Sequence, residues 1–249
     1  MHYELDGPPT ASTLVLSNSL GTNLSLWDAQ LPVFAKNFRV LRYDSRGHGK
    51  TSVTQGEYSV EILARDVIQL LDALNLERVN FCGLSIGGMT GMWLAVNVPQ
   101  RLQNLVLSNT APKIGKPDTW NERIRAVREG GTKAAAQQVI DRWFTPEFRA
   151  SHPGEVTKTR QMIETTSADG YVDSCAAVRD FDFWEKVSAI RAQTLVITGT
   201  HDSAAPPSEA QKLAKQIPGA RYIELPAAHI SNVEAASRFT EEVSTFLRN

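Results

Sequence analysis

Ser85, Asp202 and His229 are the residues of this chain whose types and spacing suit acyl chemistry. A serine hydroxyl is a weak nucleophile until a base takes its proton, and an imidazole base needs a carboxylate to orient it. Ser85 is the centre of Gly83-Leu84-Ser85-Ile86-Gly87, which follows the apolar run Val79-Asn80-Phe81-Cys82 and precedes a helical stretch beginning near Gly88. A sharp strand-to-helix turn exposes such a hydroxyl, and glycines two residues either side remove Cβ atoms that would collide. A chain of this length contains the pattern by chance roughly one time in ten, so its partners decide its meaning.

The chain holds five histidines: His2, His48, His152, His201 and His229. His2 is terminal, and His152 lies in the polar loop Ala150-Ser151-His152-Pro153-Gly154. His229 follows the apolar run ending at Leu225, and Asp202 follows the run ending at Thr198. Neighbouring strands would bring those loops together, so the spacing favours His229 as base and Asp202 as its acid. His201 remains the alternative base. A tetrahedral intermediate also needs two N–H donors for its oxyanion. One is assigned to Ile86. The other falls in the loop Ser17-Asn18-Ser19-Leu20-Gly21-Thr22 and is assigned to Leu20, with Ser19 and Gly21 as alternatives.

Other reactive-looking residues read as structural. Asp44-Ser45-Arg46-Gly47-His48-Gly49 predicts a loop fixed by buried charged hydrogen bonds rather than a catalytic His48. Cys82 sits inside a predicted strand as a small buried residue. No cluster of His, Cys, Asp and Glu has metal spacing, and no phosphate-loop motif is present.

The elements that must hold these residues alternate. Thr13–Leu16, Phe38–Tyr43, Val79–Cys82, Asn104–Ser108, Gln193–Thr198 and Arg221–Leu225 read as buried strands. Leu63, Val67, Leu70, Leu71 and Leu74 recur at helical spacing behind a Ser59 cap. Such alternation predicts an α/β fold with a mostly parallel sheet covered on both faces, whose site lies beyond the carboxyl ends of the strands. From Pro112 to Val187 no strand is evident. Helical patterns at Trp120–Arg128, Thr132–Phe144 and Val156–Thr165, broken at Gly130-Gly131, Pro146 and Pro153, predict a helical cap over 112–187. Residues 1–111 and 188–249 would form the core. A last helix is expected to start at Ser231, with Ser231 and Glu234 as a capping box and Val233, Ala236, Phe239, Val243 and Phe246 as its apolar stripe.

Bulk properties narrow the partners. With 26 Lys+Arg against 27 Asp+Glu there is no basic face for nucleic acid and no basic run for anionic membranes. No signal sequence or spanning segment is read, and two distant cysteines, Cys82 and Cys175, suit a reducing cytoplasm.

Taken with the Ser, Asp, His order and the markers Asp44–Gly49, Gly83–Gly87, Gly199-Thr200-His201-Asp202 and Ala228-His229, the chain resembles the α/β-hydrolase superfamily. The segments Ser17–Asn23, Trp27-Asp28, Gln30-Leu31, Arg142–Pro146 and Cys175–Ala177 are similar to those of 3-oxoadipate enol-lactonases of the β-ketoadipate pathway of aromatic degradation. Most superfamily relatives carry His-Gly where this chain has Asn18-Ser19. The resemblance implies hydrolysis of a small lactone or ester that bears a carboxylate, without a cofactor. Esterases and C–C hydrolases share the same frame, and a non-catalytic binding protein on that frame is the reading from another class. The carboxylate would need a cation under the cap, for which Arg128, Arg142 and Arg160 are candidates. Trp143 is a candidate pocket wall.

Overall fold

The computed structural model describes residues 1–248. Seven strands build one sheet: β1 (Tyr3–Asp6), β2 (Thr13–Ser17), β3 (Arg39–Tyr43), β4 (Val79–Leu84), β5 (Leu102–Ser108), β6 (Gln193–Gly199) and β7 (Arg221–Leu225). Their order is β1-β3-β2-β4-β5-β6-β7. β2 to β7 pair in parallel, while β1 runs antiparallel to β3 at one edge. The sequence pattern does not predict β1. An edge strand buries one face at most, and its residues Tyr-Glu-Leu-Asp form no apolar run. In contrast, every residue of β2 and β4 is buried, as a centre covered on both faces requires.

The helices are α1 (Leu31–Phe34), α2 (Val60–Ala73), α3 (Ile86–Asn97), α4 (Pro117–Gly130), α5 (Thr132–Trp143), α6 (Pro146–Ser151), α7 (Pro153–Thr165), α8 (Ala168–Arg179), α9 (Pro207–Gln216), α10 (Ser231–Glu234) and α11 (Ala236–Arg248). The Ser59 hydroxyl caps α2 by accepting the Ile62 N–H at 3.2 Å. α3 directly follows β4 and packs on β4, β5 and α2.

The chain leaves β2 for β3 on one side, then returns to place β4 on the other side of β2. The loops after β2 and β4 therefore open a crevice at the sheet's carboxyl edge. Ser17 lies in register with Gly83. The loop Ser17–Thr22 and the turn at Ser85 are neighbours for that reason, although dozens of residues separate them in sequence.

Between β5 and β6 the chain forms α4 to α8. Pro146 and Pro153 are the first residues of α6 and α7, where a missing N–H costs nothing. Apolar periodicity does not mark α6 or α8. α6 is too short to show a period, and α8 is buried on most sides, so it has no polar stripe. α4 packs on α8, and α5 on α7.

The C-terminal capping box is not formed. Ser231 is the first residue of a one-turn helix that ends at Glu234, and α11 starts afresh at Ala236. The Ser231 hydroxyl donates to Asn109 Oδ1 at 2.5 Å. The Glu234 carboxylate accepts from the Ala228 N–H at 2.8 Å and from the Thr145 hydroxyl. Both side chains thus leave the local helix for partners the fold brings in. The expected stripe survives in part: Phe239, Val243 and Phe246 of α11 are buried, whereas Val233 falls in α10 and, like Ala236, is half-buried.

Candidate active site

Ser85 sits on the turn between β4 and α3 with φ +58° and ψ −117°. A non-glycine residue reaches such a conformation only where its surroundings hold it there. Here the Ser85 N–H donates to the Ser108 carbonyl at 3.0 Å. Its own carbonyl accepts from the Met89 N–H at 3.1 Å and from the Thr110 hydroxyl at 2.7 Å. The flanking glycines are required by contact. A Cβ on Gly83 would lie 2.2 Å from the Gly87 carbonyl oxygen, and one on Gly87 would lie 2.3 Å from that of Ser17.

Asp202 and His229 are both 2% exposed. The His229 Nδ1–H donates to Asp202 Oδ2 at 2.9 Å. Because a carboxylate only accepts, Nδ1 carries a proton, and in the neutral ring it is Nε2 that holds the free lone pair. Asp202 Oδ1 takes the N–H groups of Ala204 at 2.8 Å and Ala205 at 2.9 Å. Burial pushes the Asp202 carboxyl pKa up, but the His229 imidazole, the Ala205 N–H and the Asn109 amide outweigh it, so the carboxyl titrates below its usual range. His201 shares the loop, yet its side chain is exposed and only its N–H is held, by the Ala227 carbonyl at 3.0 Å.

Asn109 was not foreseen from sequence. It is fully buried just past β5, with φ +47°. Its amide donates to Asp202 Oδ2 at 3.0 Å and to the Ala228 carbonyl at 3.1 Å. Its Oδ1 accepts from Ser108 at 2.9 Å and Ser231 at 2.5 Å. One side chain therefore ties the end of β5 to the loops after β6 and β7. Its place directly beyond a strand's carboxyl end is the signal that could have found it.

Leu20 lines the cavity, and Ile86 is the first residue of α3, whose first-turn N–H groups have no acceptor within the helix. Gly21 is unavailable as the alternative donor. Its N–H donates to His48 Nε2 at 2.9 Å, and its carbonyl accepts from the Thr166 hydroxyl at 3.2 Å. The His48 Nδ1–H donates in turn to the Arg46 carbonyl at 3.0 Å. Burial pulls the His48 pKa down, which keeps this ring neutral with Nε2 free to accept. The rest of that loop is held as a structural element. Asp44 accepts the Leu24 N–H at 2.9 Å and the Lys50 N–H at 2.8 Å, and Arg46 pairs with Asp66 at 2.5 Å. Cys82 and Cys175 are free and buried, and burial pushes both thiols up, Cys175 to about 12, so neither is a nucleophile.

Ser85, Leu20, Trp143 and His229 share one cavity of about 390 Å³. Trp143 is 6% exposed, and its ring centroid is 6.0 Å from that of His229. Arg123 and Arg142 line the same cavity. Neither forms an ion pair among the described residues. Burial, and next the positive charge of Arg123, lower the Arg142 pKa, with Asp202 opposing. Arg128 is exposed, and Arg160 donates to Gln137 at 2.9 Å; neither lines the cavity. Of the three arginines proposed from sequence, only Arg142 is placed there, and Arg123 joins it. Arg123 sits on α4 three residues after Trp120 and four before Val127, so it shares the face that those apolar residues bury, and a cation on that stripe is the signal that could have found it. No His, Cys, Asp and Glu cluster fit for a metal occurs among the described residues, and no helix there is long and apolar enough to cross a membrane.

A model of the family described as alpha/beta hydrolase fold matches residues 12–236. The chain belongs to that family. It is a hydrolase with relatives of several specificities. It is 38% identical to 3-oxoadipate enol-lactonase 2 of Acinetobacter baylyi over all of this chain and 93% of that one. The enol-lactonase from Burkholderia xenovorans LB400 superposes with a TM-score of 0.98 at 44% identity, covering 100% of this chain and 96% of that one. A thermophilic esterase from Thermogutta terrifontis, solved with malate bound, gives 0.94 at 28% identity over 99% and 92%.

Proposed function

We propose that this hydrolase opens 3-oxoadipate enol-lactone to 3-oxoadipate through an acyl-enzyme on Ser85. The observation that carries this reading is one cavity holding Ser85 and His229 together with two arginines that form no ion pair among the described residues, Arg142 donating to the Ser203 carbonyl at 3.2 Å and Arg123 lying over the Trp120 ring. The first pair suits attack on an acyl carbon; the second suits a carboxylate carried by the same small molecule. Resemblance over the whole chain to two enol-lactonases supports the choice of lactone.

In the proposed reaction His229 Nε2 takes the Ser85 proton as Oγ attacks the ring carbonyl. Asp202 holds the resulting imidazolium. The N–H groups of Leu20 and Ile86 receive the oxyanion, each typically worth about 10² to 10³ in rate. The C–O bond of the ring breaks, and the leaving enolate oxygen takes its proton from His229. An enol is more acidic than an alkanol, so this step needs less acid assistance. The enol then ketonises to the 3-oxo group. Water, deprotonated by His229, attacks the acyl-enzyme; Ser85 leaves with the proton and the second carboxylate is released. Lactone and one water give one oxo-diacid, and no cofactor takes part.

The test is turnover of the enol-lactone, generated in situ, beside p-nitrophenyl acetate. Ser85→Ala is expected to lower kcat by about 10⁴-fold or more while circular dichroism stays unchanged. Undiminished turnover in that variant refutes the mechanism. If the aryl ester is hydrolysed far faster than the lactone, the chain is an esterase and the lactone reading fails.

A further inference from the structure

Five buried side-chain polar atoms lack any hydrogen-bond partner among the described residues: Ser19 Oγ, Arg42 Nε, Arg149 Nε, Ser174 Oγ and Asn232 Oδ1. Of these residues only Ser19 lines the cavity that contains Ser85 and His229. A buried hydroxyl without a partner is a standing cost to the fold, and such groups call for an explanation.

The groups around Ser19 are otherwise committed. Its carbonyl accepts from the Thr22 N–H at 3.2 Å and the Thr22 hydroxyl at 2.7 Å. On one side, the Asn18 amide donates to the Tyr43 carbonyl at 2.7 Å and accepts from Trp27 Nε1 at 2.8 Å. On the other side stand Leu20 and then Gly21, whose N–H and carbonyl are held by His48 and Thr166. This loop is thus rigid by hydrogen bonds at both ends. The side-chain polar group left idle on it belongs to Ser19, which is 2% exposed and lies in the wall of the reaction cavity.

We propose that the Ser19 hydroxyl is a catalytic residue, donating a hydrogen bond to the acyl oxygen of the substrate as negative charge builds there, beside the N–H donors. The inference rests on the proposed attack by Ser85. No bond to Ser19 forms or breaks; the hydroxyl keeps its proton and lends it to the oxyanion. A fixed donor near the reacting carbonyl stabilises the transition state more than the ground state, so it acts on kcat rather than on KM. The hydroxyl remains unsatisfied in the free enzyme and finds its partner only during turnover.

The experiment compares wild type, Ser19→Ala, Ser19→Gly and Ser85→Ala on enol-lactone and p-nitrophenyl acetate, with Tm measured for each. Ser19→Ala removes an unpartnered hydroxyl and leaves the loop's backbone bonds in place. Its Tm is expected to equal or exceed that of wild type, while kcat falls by about 10- to 100-fold on both substrates and KM moves less than about twofold. Ser19→Gly should lose kcat to the same extent. A kcat unchanged in Ser19→Ala overturns the proposal, whatever happens to KM. So does a Tm lowered by several degrees, because the hydroxyl would then serve the fold. If wild type and Ser85→Ala hydrolyse both substrates equally, the Ser85 reading falls and takes this one with it. If Ser85→Ala is dead and Ser19→Ala is fully active, only the role of Ser19 is lost.

Discussion

Replacing Gly87 by Ala tests whether contact between the Ser85 turn and the loop after β2 sets the rate. The new Cβ would stand 2.3 Å from the Ser17 carbonyl oxygen, with Ser17 Oγ at 2.8 Å, whereas ordinary contact begins near 3.4 Å. About 1 Å must open, and the obstacle is backbone, which cannot rotate away. Overpacking of this kind costs roughly 1–3 kcal/mol. For a chain of this size each kcal/mol lowers Tm by about 2–4 °C, so a fall of roughly 5 °C is expected. Ser17 begins the loop that carries Ser19 and Leu20, so the displaced segment is the one proposed to hold the oxyanion. A shift of about 1 Å there should cost on the order of 10² in kcat. The assay is steady-state hydrolysis of the lactone and of p-nitrophenyl acetate, with Tm by differential scanning calorimetry. Gly154→Ala is the control: nothing lies within 4 Å of its Cβ, and alanine favours α7 by up to about 1 kcal/mol. A Gly87→Ala enzyme with full kcat and unchanged Tm would show that the reasoning from this contact is wrong.

Two further outcomes follow from the site. Arg142→Gln, and separately Arg123→Gln, should raise KM for the carboxylate-bearing lactone by about 10-fold or more, since a charged hydrogen bond contributes about 1.5–3 kcal/mol. KM for the neutral aryl ester should hardly change, and equal losses on both substrates would remove the arginines from carboxylate recognition. His48 supplies a pH test. Its folded pKa is lowered from 6.5 by burial, so the unfolded chain binds the proton first as pH falls. The stability tied to its neutral form is complete above about pH 6.5 and is lost below it, by up to about 1.4 kcal/mol per pH unit until the folded ring itself protonates. His48→Gln lacks this dependence, while its amide oxygen can still accept the Gly21 N–H. Urea unfolding between pH 7 and 5 should therefore show a shallower decline in the variant; identical slopes would contradict a buried neutral ring.

Ser85 and its glycines were legible because the turn's demand is local. Gly83, Ser85 and Gly87 answer to a strand-to-helix corner that any fold of this kind must make. The strands were legible because full burial on both faces leaves unbroken apolar runs, as in β2 and β4. β1 was not, since an exposed edge needs no such run. The misreading of Ser231 and Glu234 has the same root. Their spacing matches a local cap, but Asn109, Ala228 and Thr145 lie closer to hand in space and take both side chains.

What the sequence by itself determined is a serine on a glycine-flanked turn and, beyond later strands, an aspartate and a histidine of suitable type. Only the tertiary structure decided which of them meet. The order of strands in the sheet places the loop after β2 beside Ser85 and the loops after β6 and β7 beside each other. It thereby pairs His229 with Asp202 and leaves His201 in solvent. It also brings α4 and α5 to the cavity, whose wall then holds two arginines that form no ion pair among the described residues. Apolar periodicity reports that a strand or helix is buried, not against which neighbour, so contacts across loops and helices appear only when the chain is closed.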